Sequence, residues 1–203
     1  MNMMFNQGNL SFRLATNKAD YKLVYDLRKE VFGKEQNYSE QCLQLHMKKN
    51  EYYILAFEND SAVATLTLEI GTQPGHLDID HYSNTDSLYK EHNKIAFWSR
   101  NAVLKNYRGS LITPLIHEYM YNLIKTLGAN YIIVDCKKNN IASRKFIPKL
   151  GYAPIDKCTK GEIGEVIIWG ITLQNYQETF PLYLKKKKLH ENYTENSDIC
   201  AAN

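Results

Sequence analysis

The sequence predicts an α/β fold in which a mixed, mostly antiparallel sheet has helices on both faces. The runs "YYILAFEN" and "SAVATLTLEIG" are rich in β-branched and aromatic residues and are separated by "ND", which predicts an antiparallel hairpin. Between the strands "KIAFWSRNAVL" and "NYIIVDC" lies a segment with helical periodicity, which predicts a parallel pair joined by a crossover helix. With 203 residues and 44% hydrophobic content, the chain is long enough for one sizeable core.

The first elements follow from short patterns. The segment "LSFRLAT" predicts a strand, and a helix follows with Asn17 as its cap and Gly33 at its end. A second, shorter helix is predicted within residues 39–49, just before the hairpin. The apolar residues of the first helix repeat every fourth position on one face: Leu23, Leu27 and Val31.

Residues 72–93 are polar and rich in turn formers, which predicts a long connection of the kind that often forms a lid or a binding loop. A helix is predicted from 113 to 127, with Gly128 at its end. The remaining order is strand, short helix, strand, strand. We expect a single domain over 1–184 and a charged, solvated tail over 185–203.

Bulk properties exclude several classes of protein. The net charge of +3 suits an anionic ligand but is too small for a nucleic-acid-binding composition. The first residues, "MNMMFNQGNLSF", have no basic region followed by an apolar run, and no apolar run is long enough to span a bilayer. We therefore expect a cytoplasmic protein without an integral membrane segment. The four cysteines are scattered, so neither a disulfide framework nor a metal site is predicted.

The stretch "VLKNYRGSLITPLIHEY" connects a strand to a helix. The free N–H groups and the dipole at a helix N-terminus attract phosphate. Arg108 adds a cation, Gly109 allows a close backbone approach, and Thr113 with Pro114 fits a cap and first-turn pair. Taken alone, the same residues fit an ordinary capped helix beside an exposed arginine.

The succession "FWSRNAVLKNYRGSLITPLI" and "YIIVDCKKNNIASRKFIPKLGY" resembles the core of the GNAT acyltransferase superfamily, over residues 12–173. The resemblance implies that the parallel strand pair is splayed and that an arginine-and-glycine turn binds the pyrophosphate of acyl-coenzyme A (acyl-CoA). Leu111 and Thr113 stand where small residues are usual in that turn. The implied donor-binding residues are Val103, Arg108, Gly109, Ser110, Leu111, Ile112, Thr113 and Asn139.

The segments "LRKEVFGKE" and "SRNAV" resemble one branch of this superfamily, the acyl-homoserine-lactone synthases and N-acyl amino acid synthases. That branch commonly takes its acyl group from acyl carrier protein. The resemblance implies that Arg28 borders the acceptor and acyl pocket and that Arg100 lines the site. Further substrate-binding candidates are Phe32, Trp98 and His81.

Two positions depart from the family pattern. Phe97 stands where the branch has a glutamate, and Phe146 and Ile147 lie near the position of the usual tyrosine acid. Positioning of the amine and a backbone N–H on the carbonyl can supply much of the rate of thioester aminolysis. We therefore predict Arg100, Ser99 and Glu69 as catalytic residues; Glu69 would act as a base through water, and the alternative bases are Asp78, Asp80 and His81.

The predicted function is N-acyl transfer from a thioester to a small-molecule amine, with no metal and no nucleic-acid partner. The donor is either acetyl-CoA or another acyl-CoA, or an acyl chain on carrier protein. The alternative is a catalytically silent module that binds acyl thioesters. The lysine run 185–188 either docks an acidic carrier protein or a membrane surface, or is plain solvated tail.

Overall fold

The computed structural model describes residues 4–200, except for the side chains of residues 4, 162 and 189–200. Eight strands form one sheet in the order β1-β2-β3-β4-β5-β6-β8-β7, and among these strands only β5 and β6 pair in parallel. The predicted fold class is therefore confirmed. The strands are β1 (Met4–Gln7), β2 (Leu10–Leu14), β3 (Glu51–Glu58), β4 (Ser61–Gly71), β5 (Ile95–Val103), β6 (Tyr131–Lys137), β7 (Ala153–Lys160) and β8 (Gly164–Thr172).

Six α-helices accompany the sheet in the described part of the chain. Asn17 caps the first helix as predicted, since its side chain accepts the N–H of Asp20 at 3.0 Å. α1 continues directly into a π-helix, Lys29–Lys34, so the helical run ends one residue after the predicted end at Gly33. The α-helices are α1 (Lys18–Arg28), α2 (Glu40–Leu43), α3 (Asp86–Glu91), α4 (Ile112–Leu127), α5 (Ile141–Phe146) and α6 (Leu173–Cys200). None of the helices in the described residues is long and apolar enough to cross a membrane.

Both faces of the sheet are covered, as the buried runs within its strands require. On one face, α4 and α6 pack against alternate strand residues such as Ile54 and Ile132. On the other face, α1 packs against β3, where Val24 contacts a cluster that includes Leu55. The side chains of β5 therefore alternate between two buried environments.

Residues 72–93 are more ordered than the plain connection that the sequence predicts. They contain a 3-10 helix, Asp78–His81, and α3. Leu77 and Ile79 are fully buried and join the cluster around Phe97. Two apolar residues in a polar segment thus fasten it over one face of the sheet.

The sequence analysis misses α6, the first part of which packs in the core. Tyr176, Phe180 and Leu184 lie four residues apart, and all three are buried in the core. Beyond them, the side chain of Lys187 donates to the carbonyl of Gly109. The predicted division at 184/185 stays a prediction, although α6 runs across it; residues 201–203 lie outside the described residues.

The parallel pair of β5 and β6 is splayed, which forms a fork. Ladder pairs join residues 95–98 to 131–134, and the ladder ends there although both strands continue. On its other side, β5 contains a β-bulge, since Thr65 pairs with Ala102 but Thr67 pairs with Ser99. Arg100, within this bulge, has φ of 50°, a conformation rare for a residue other than glycine. Backbone of this kind is often found at functional sites.

Candidate active site

The fork opens onto two adjoining cavities. The smaller, of about 420 Å³, lies between the diverging ends of β5 and β6. The larger, of about 1020 Å³, extends from the fork past the start of α4 to α6. The two form one continuous cleft, because four residues line both: Gln36, Asn101, Asn140 and Ser143.

The turn before α4, which is the predicted donor turn, forms one wall of the larger cavity. Gly109 has φ of 86°, and no atom lies within 4 Å of where a β-carbon would stand, so its backbone is open to a ligand. The prediction that Thr113 caps the helix is wrong. The helix begins at Ile112, and the hydroxyl of Ser110 accepts the Ile112 N–H at 3.3 Å. The predicted residues that line this cavity are Val103, Arg108, Gly109, Ser110 and Thr113.

The large side chain of Leu111 takes up no space in either cavity. Leu111 and Ile112 line neither cavity; Ile112 is buried in the main core and Leu111 packs against it. Thr113 does face the larger cavity. Of the two larger residues in the turn, only Thr113 therefore lines a cavity.

Arg108 already has partners at this wall. Its Nη2 lies 2.7 Å from Glu35 Oε2, and its Nε donates to the carbonyl of Val103 at 2.9 Å. The guanidinium thus fixes the turn against the π-helix that follows α1. Its charge is balanced by Glu35 unless a ligand displaces that carboxylate.

Four predicted residues line the smaller cavity: Phe32, Trp98, Ser99 and Arg100. The ring of Phe32 stacks on Tyr38 with centroids 5.9 Å apart, and Trp98 Nε1 donates to the hydroxyl of Tyr152 at 2.9 Å. Ser99 is only 3% exposed, and within the described residues its hydroxyl has no hydrogen-bond partner. A buried hydroxyl that faces a cavity without a partner is available to a ligand.

A network of mostly buried charges, each side chain 10–16% exposed, lies at the smaller cavity, which Arg100, Asp135 and Lys160 line. Arg100 Nη2 lies 3.1 Å from Asp78 Oδ2, and Lys160 Nζ lies 2.9 Å from Asp135 Oδ2. Burial opposes the charge of Arg100, but nearby carboxylates, Asp78 first, outweigh it and raise the pKa of Arg100 above its usual value. Burial likewise opposes the charge of Asp78, but Arg100 and Lys160 lower the pKa of that carboxyl. Arg100 and Asp78 are therefore both charged at neutral pH.

Glu69, the predicted base, lies beside this network and lines neither cavity. It is 1% exposed; its Oε2 accepts the Asp78 N–H at 2.8 Å and lies 3.7 Å from Lys48 Nζ. Burial raises the pKa of Glu69 to about 7. Glu69 pairs across the sheet with Phe97, so its carboxylate projects on the same face as the residue that occupies the usual glutamate position.

Arg28 is fully buried and does not reach either cavity. Its guanidinium donates to Thr67 Oγ1 at 2.5 Å and to the carbonyls of Leu43 and Gln44 at 3.3 and 2.9 Å. Burial, reinforced by the charge of Arg100, lowers the pKa of Arg28 to about 10. These contacts hold the chain at the end of α2 against β4. Arg28 therefore stabilises the structure around the site without lining either cavity.

Three further predicted residues lie elsewhere. His81 and Asn139 are both exposed. The residue that reaches the cleft is the next one along the chain, Asn140. Asn140 lines both cavities, and its side chain caps α5 by accepting the Ser143 N–H at 3.1 Å. The carboxylate of Asp80 is used within its own segment, where it accepts the Leu77 N–H at 2.9 Å.

Asn101 is the central residue that the sequence analysis misses. Its amide lies 3.4 Å from Nε2 of His117, a fully buried residue of α4. Because burial lowers the pKa of His117 to about 3, the ring is neutral and can accept from the Asn101 Nδ2 group. Asn101 Oδ1 then has no partner within the described residues. Asn101 belongs to the quoted segment "SRNAV", but its contact with α4 is not visible in that pattern.

Comparisons with known proteins agree with this geometry. The sequence profile of the Acetyltransferase (GNAT) family matches residues 21–152. No curated protein matches the sequence significantly. Among the described residues, no group of three or more His, Cys, Asp and Glu side chains is placed to hold a metal ion.

Solved structures share the fold at low sequence identity. FeeM, an N-acyl amino acid synthase from uncultured soil microbes, aligns with a TM-score of 0.71 and 11% identity, over 84% of this chain and 94% of its own. Arabidopsis thaliana NAA60, solved in complex with acetyl-CoA, aligns with a TM-score of 0.60 and 11% identity, over 81% and 99%. The Escherichia coli ribosomal-protein-S18-alanine N-acetyltransferase aligns with a TM-score of 0.57 and 12% identity, over 85% and 94%.

The family prediction is confirmed, because the profile covers well over half of the sequence and the splayed sheet agrees with it. The chain belongs to the GNAT family of acetyltransferases.

Proposed function

We propose that this enzyme transfers an acyl group from a thioester donor to the amine of a small molecule, with the thioester held at the junction of the two cavities. The observation that supports this most is the fork itself. Beyond residue 98, the edge of β5 that faces β6 has no ladder partner, and this edge runs along both cavities. An extended ligand can bond to such an edge as an added strand does.

In this proposal, the larger cavity binds the phosphate-bearing end of the donor against the turn at Gly109 and the start of α4. The acyl group and the amine meet in the smaller cavity, between Phe32 and Trp98 on one side and the charged network on the other. A backbone N–H on the open edge of β5 polarises the thioester carbonyl. The donor is either acyl-CoA or an acyl chain on carrier protein.

The reaction needs one bond to form and one to break. The amine nitrogen attacks the thioester carbon, and the tetrahedral intermediate expels the sulfur as a thiolate, which recovers a proton as a thiol. The amine loses one proton on forming the amide. We assign its acceptance to Glu69, acting through water, because a pKa of about 7 suits a base at neutral pH. We assign Arg100, which lines the smaller cavity and interacts electrostatically with Glu69, to orient the acceptor.

Release of free thiol tests the proposal directly. The purified enzyme is mixed with acetyl-CoA, a long-chain acyl-CoA or acyl carrier protein, each with and without a panel of small amines. Thiol release that requires the amine supports N-acyl transfer, and the productive donor is identified by the same assay. Donor binding without release in any mixture would contradict it and favour the silent binding module.

A pair of matched variants ties the reaction to the cleft. Ser143→Trp fills the junction, since Ser143 lines both cavities, and should abolish thiol release. Ser87→Trp adds the same bulk on an exposed position of α3 and should leave the rate unchanged. Equal rates of thiol release by the two variants would show that the junction of the cavities takes no part in the reaction.

A further inference from the structure

A carboxylate stands on β6 at the point where the fork begins. Asp135 is the first residue of β6 beyond the ladder, since the last ladder pair joins Trp98 to Val134. Its side chain is 10% exposed and lines the smaller cavity. Tyr82 Oη and Lys160 Nζ both donate to Oδ2, at 3.0 and 2.9 Å. Oδ1 is therefore left without a hydrogen-bond donor from the described residues, which is unusual for a carboxylate so little exposed.

Asp135 is also the single Asp or Glu among the described residues that line this cavity. Its partner Lys160 is fully engaged, because Nζ lies 2.9 Å from Tyr82 Oη and 4.0 Å from Asp78 Oδ2 as well. Lys160 thus balances the carboxylate through Oδ2 and leaves Oδ1 turned to the cavity. An oxygen of this kind accepts a hydrogen bond from an N–H group of a ligand.

Asp135 projects on one particular face of the sheet. Alternate residues of a strand share a face, so Asp135 lies on the same face as Ile133, and Ser99 on the same face as Phe97. Phe97 and Ile133 are themselves a ladder pair within one buried cluster. Asp135 and Ser99 therefore stand side by side on that face, whereas the ring of Trp98 is buried in the main core on the opposite face.

The same face is the one from which a thioester at the fork is open to attack. Hydrogen bonds to a carbonyl form near the plane of the C=O group, so a carbonyl bonded to a backbone N–H of β5 lies close to the plane of the sheet. A nucleophile approaches such a carbonyl perpendicular to that plane. Neighbouring strands are about 4.8 Å apart where the ladder ends, so an amine bonded to Asp135 is within reach of the carbonyl carbon.

We propose that Asp135 is the residue that binds the acceptor: its Oδ1 accepts an N–H of the amine and so directs the nitrogen lone pair towards the thioester. This role rests on the proposed function, whereas the binding test below does not. Glu69 remains the base, since a primary amine keeps a further N–H after one is bonded to Asp135. Lys160 and Tyr82 position the carboxylate through Oδ2.

NMR titration of the full chain without any donor tests this contact. One probe is 2-phenylethylamine, whose ring suits the aromatic side chains of Phe32 and Trp98 in the cavity. The other is trimethyl(2-phenylethyl)ammonium, which has the same ring and charge but no N–H. We expect the primary amine to bind about tenfold more tightly or better, the scale of a hydrogen bond to a charged group. The carboxyl carbon of Asp135 should shift with the primary amine only, and this readout needs no variant to fold.

Asp135→Asn should abolish the preference for the primary amine. The amide oxygen stays with the donors Tyr82 and Lys160, so the amide NH₂ group takes the place of Oδ1 and cannot accept an N–H. A preference caused by the size of the trimethyl group would survive in this variant. Asp156→Asn is the matched control, because Asp156 accepts the neighbouring Ser83 hydroxyl at 2.9 Å but lines neither cavity. It should keep the preference.

Three results of the titration would overturn the inference: no binding of 2-phenylethylamine at the fork, no shift of the Asp135 carboxyl carbon, or the same preference in Asp135→Asn as in Asp156→Asn. In turnover with the fastest amine of the panel, Asp135→Asn should raise the KM of the amine about tenfold and leave that of the donor unchanged. An unchanged KM of the amine would overturn the inference and keep the proposed function. Amine binding that depends on Asp135, without amine-dependent thiol release, would keep Asp135 as an amine-binding residue and overturn the proposed function.

Discussion

In their first halves β5 and β6 are hydrogen-bonded neighbours, whereas in their second halves they diverge around the two cavities. We call residues 95–98 and 131–134 the paired half, and residues 99–103 and 135–137 the open half. The paired half contains Phe97, which is fully buried among apolar residues. The open half contains Ser99 and Asn101, each with a buried polar atom that has no described partner.

This difference indicates where the polar groups of the two strands no longer find hydrogen-bond partners within the described residues. In the paired half, the sheet supplies the hydrogen bonds of the backbone, and the core packs around the side chains. In the open half, the same two strands leave polar groups turned towards a cleft, where a ligand can satisfy them. Five substitutions, grouped in four predictions, sharpen or break the comparison, and the predictions follow in order of expected effect.

Phe97→Ala in the paired half should have the largest effect on folding. It removes a fully buried ring and leaves a cavity, which costs about 3 to 5 kcal/mol in the free energy of unfolding. Urea denaturation followed by circular dichroism measures this change. A cost below about 1 kcal/mol would show that the paired half is not packed as a core.

Glu69→Gln should change how stability depends on pH. The folded pKa of about 7 lies above the unfolded value of 4.5, so the unfolded state releases its proton first. The contribution of Glu69 to stability should therefore fall by about 3 kcal/mol as pH rises from 4.5 to 7 and be level above that. Buried His117, whose pKa is lowered to about 3, adds the opposite slope below pH 6.5 in both proteins. The difference in the free energy of unfolding between wild type and Glu69→Gln, from urea titrations between pH 4 and 8, therefore isolates the contribution of Glu69.

Asp78 does not confuse this measurement, because its pKa is lowered and its contribution is lost only as pH falls below the ordinary range of a carboxyl. If wild type and Glu69→Gln keep the same slope between pH 4.5 and 7, Glu69 is not a buried acid of raised pKa. The assignment of Glu69 as the base would then be wrong.

Asn101→Ala in the open half should mainly affect catalysis. We expect kcat/KM to fall about ten- to a hundredfold, since a neutral amide that bonds the reacting groups contributes about 1 to 3 kcal/mol. His117→Phe retains the ring that packs behind Asn101 but removes the acceptor that orients its amide, so a smaller loss is expected. Steady-state kinetics give both values; a His117 variant worse than Asn101→Ala would contradict this order.

Ser99→Ala should have the smallest effect on stability, although Ser99 is nearly as buried as Phe97. No described hydrogen bond is lost, so the free energy of unfolding should change by less than about 0.5 kcal/mol. The same urea experiment provides the measurement. Suppose instead that Ser99→Ala lowers the free energy of unfolding as much as Phe97→Ala does. Burial alone would then decide the effect of a substitution, whether or not the side chain has a hydrogen-bond partner.

The sequence alone predicts the central part of this fold because its signals are local. The hairpin of β3 and β4 follows from two apolar runs around one turn, and α4 follows from its period and from Gly128, whose φ is 76°. The fork and the turn at Gly109 were reached through a family resemblance, which depends on the order of elements. That order places the open half correctly even where the family side chains are missing.

The remainder depends on contacts between distant residues. The core positions of α6 lie just ahead of a lysine run, and the run obscured their period of four. Arg28 was predicted beside the acceptor pocket through the family resemblance of "LRKEVFGKE", but backbone carbonyls of residues 43 and 44 accept its hydrogen bonds. The link of Asn101 to His117 likewise joins elements whose register no local pattern reveals.

Hydrogen exchange of the backbone amides with and without bound CoA tests the central claim most directly. The account predicts that CoA slows exchange in the open half, at residues 99–103, and in the turn at 109–113. The paired half, already protected by its ladder and the core, should not change. Protection that is absent from the open half, or equal in both halves, would contradict the assignment of the fork as the donor site.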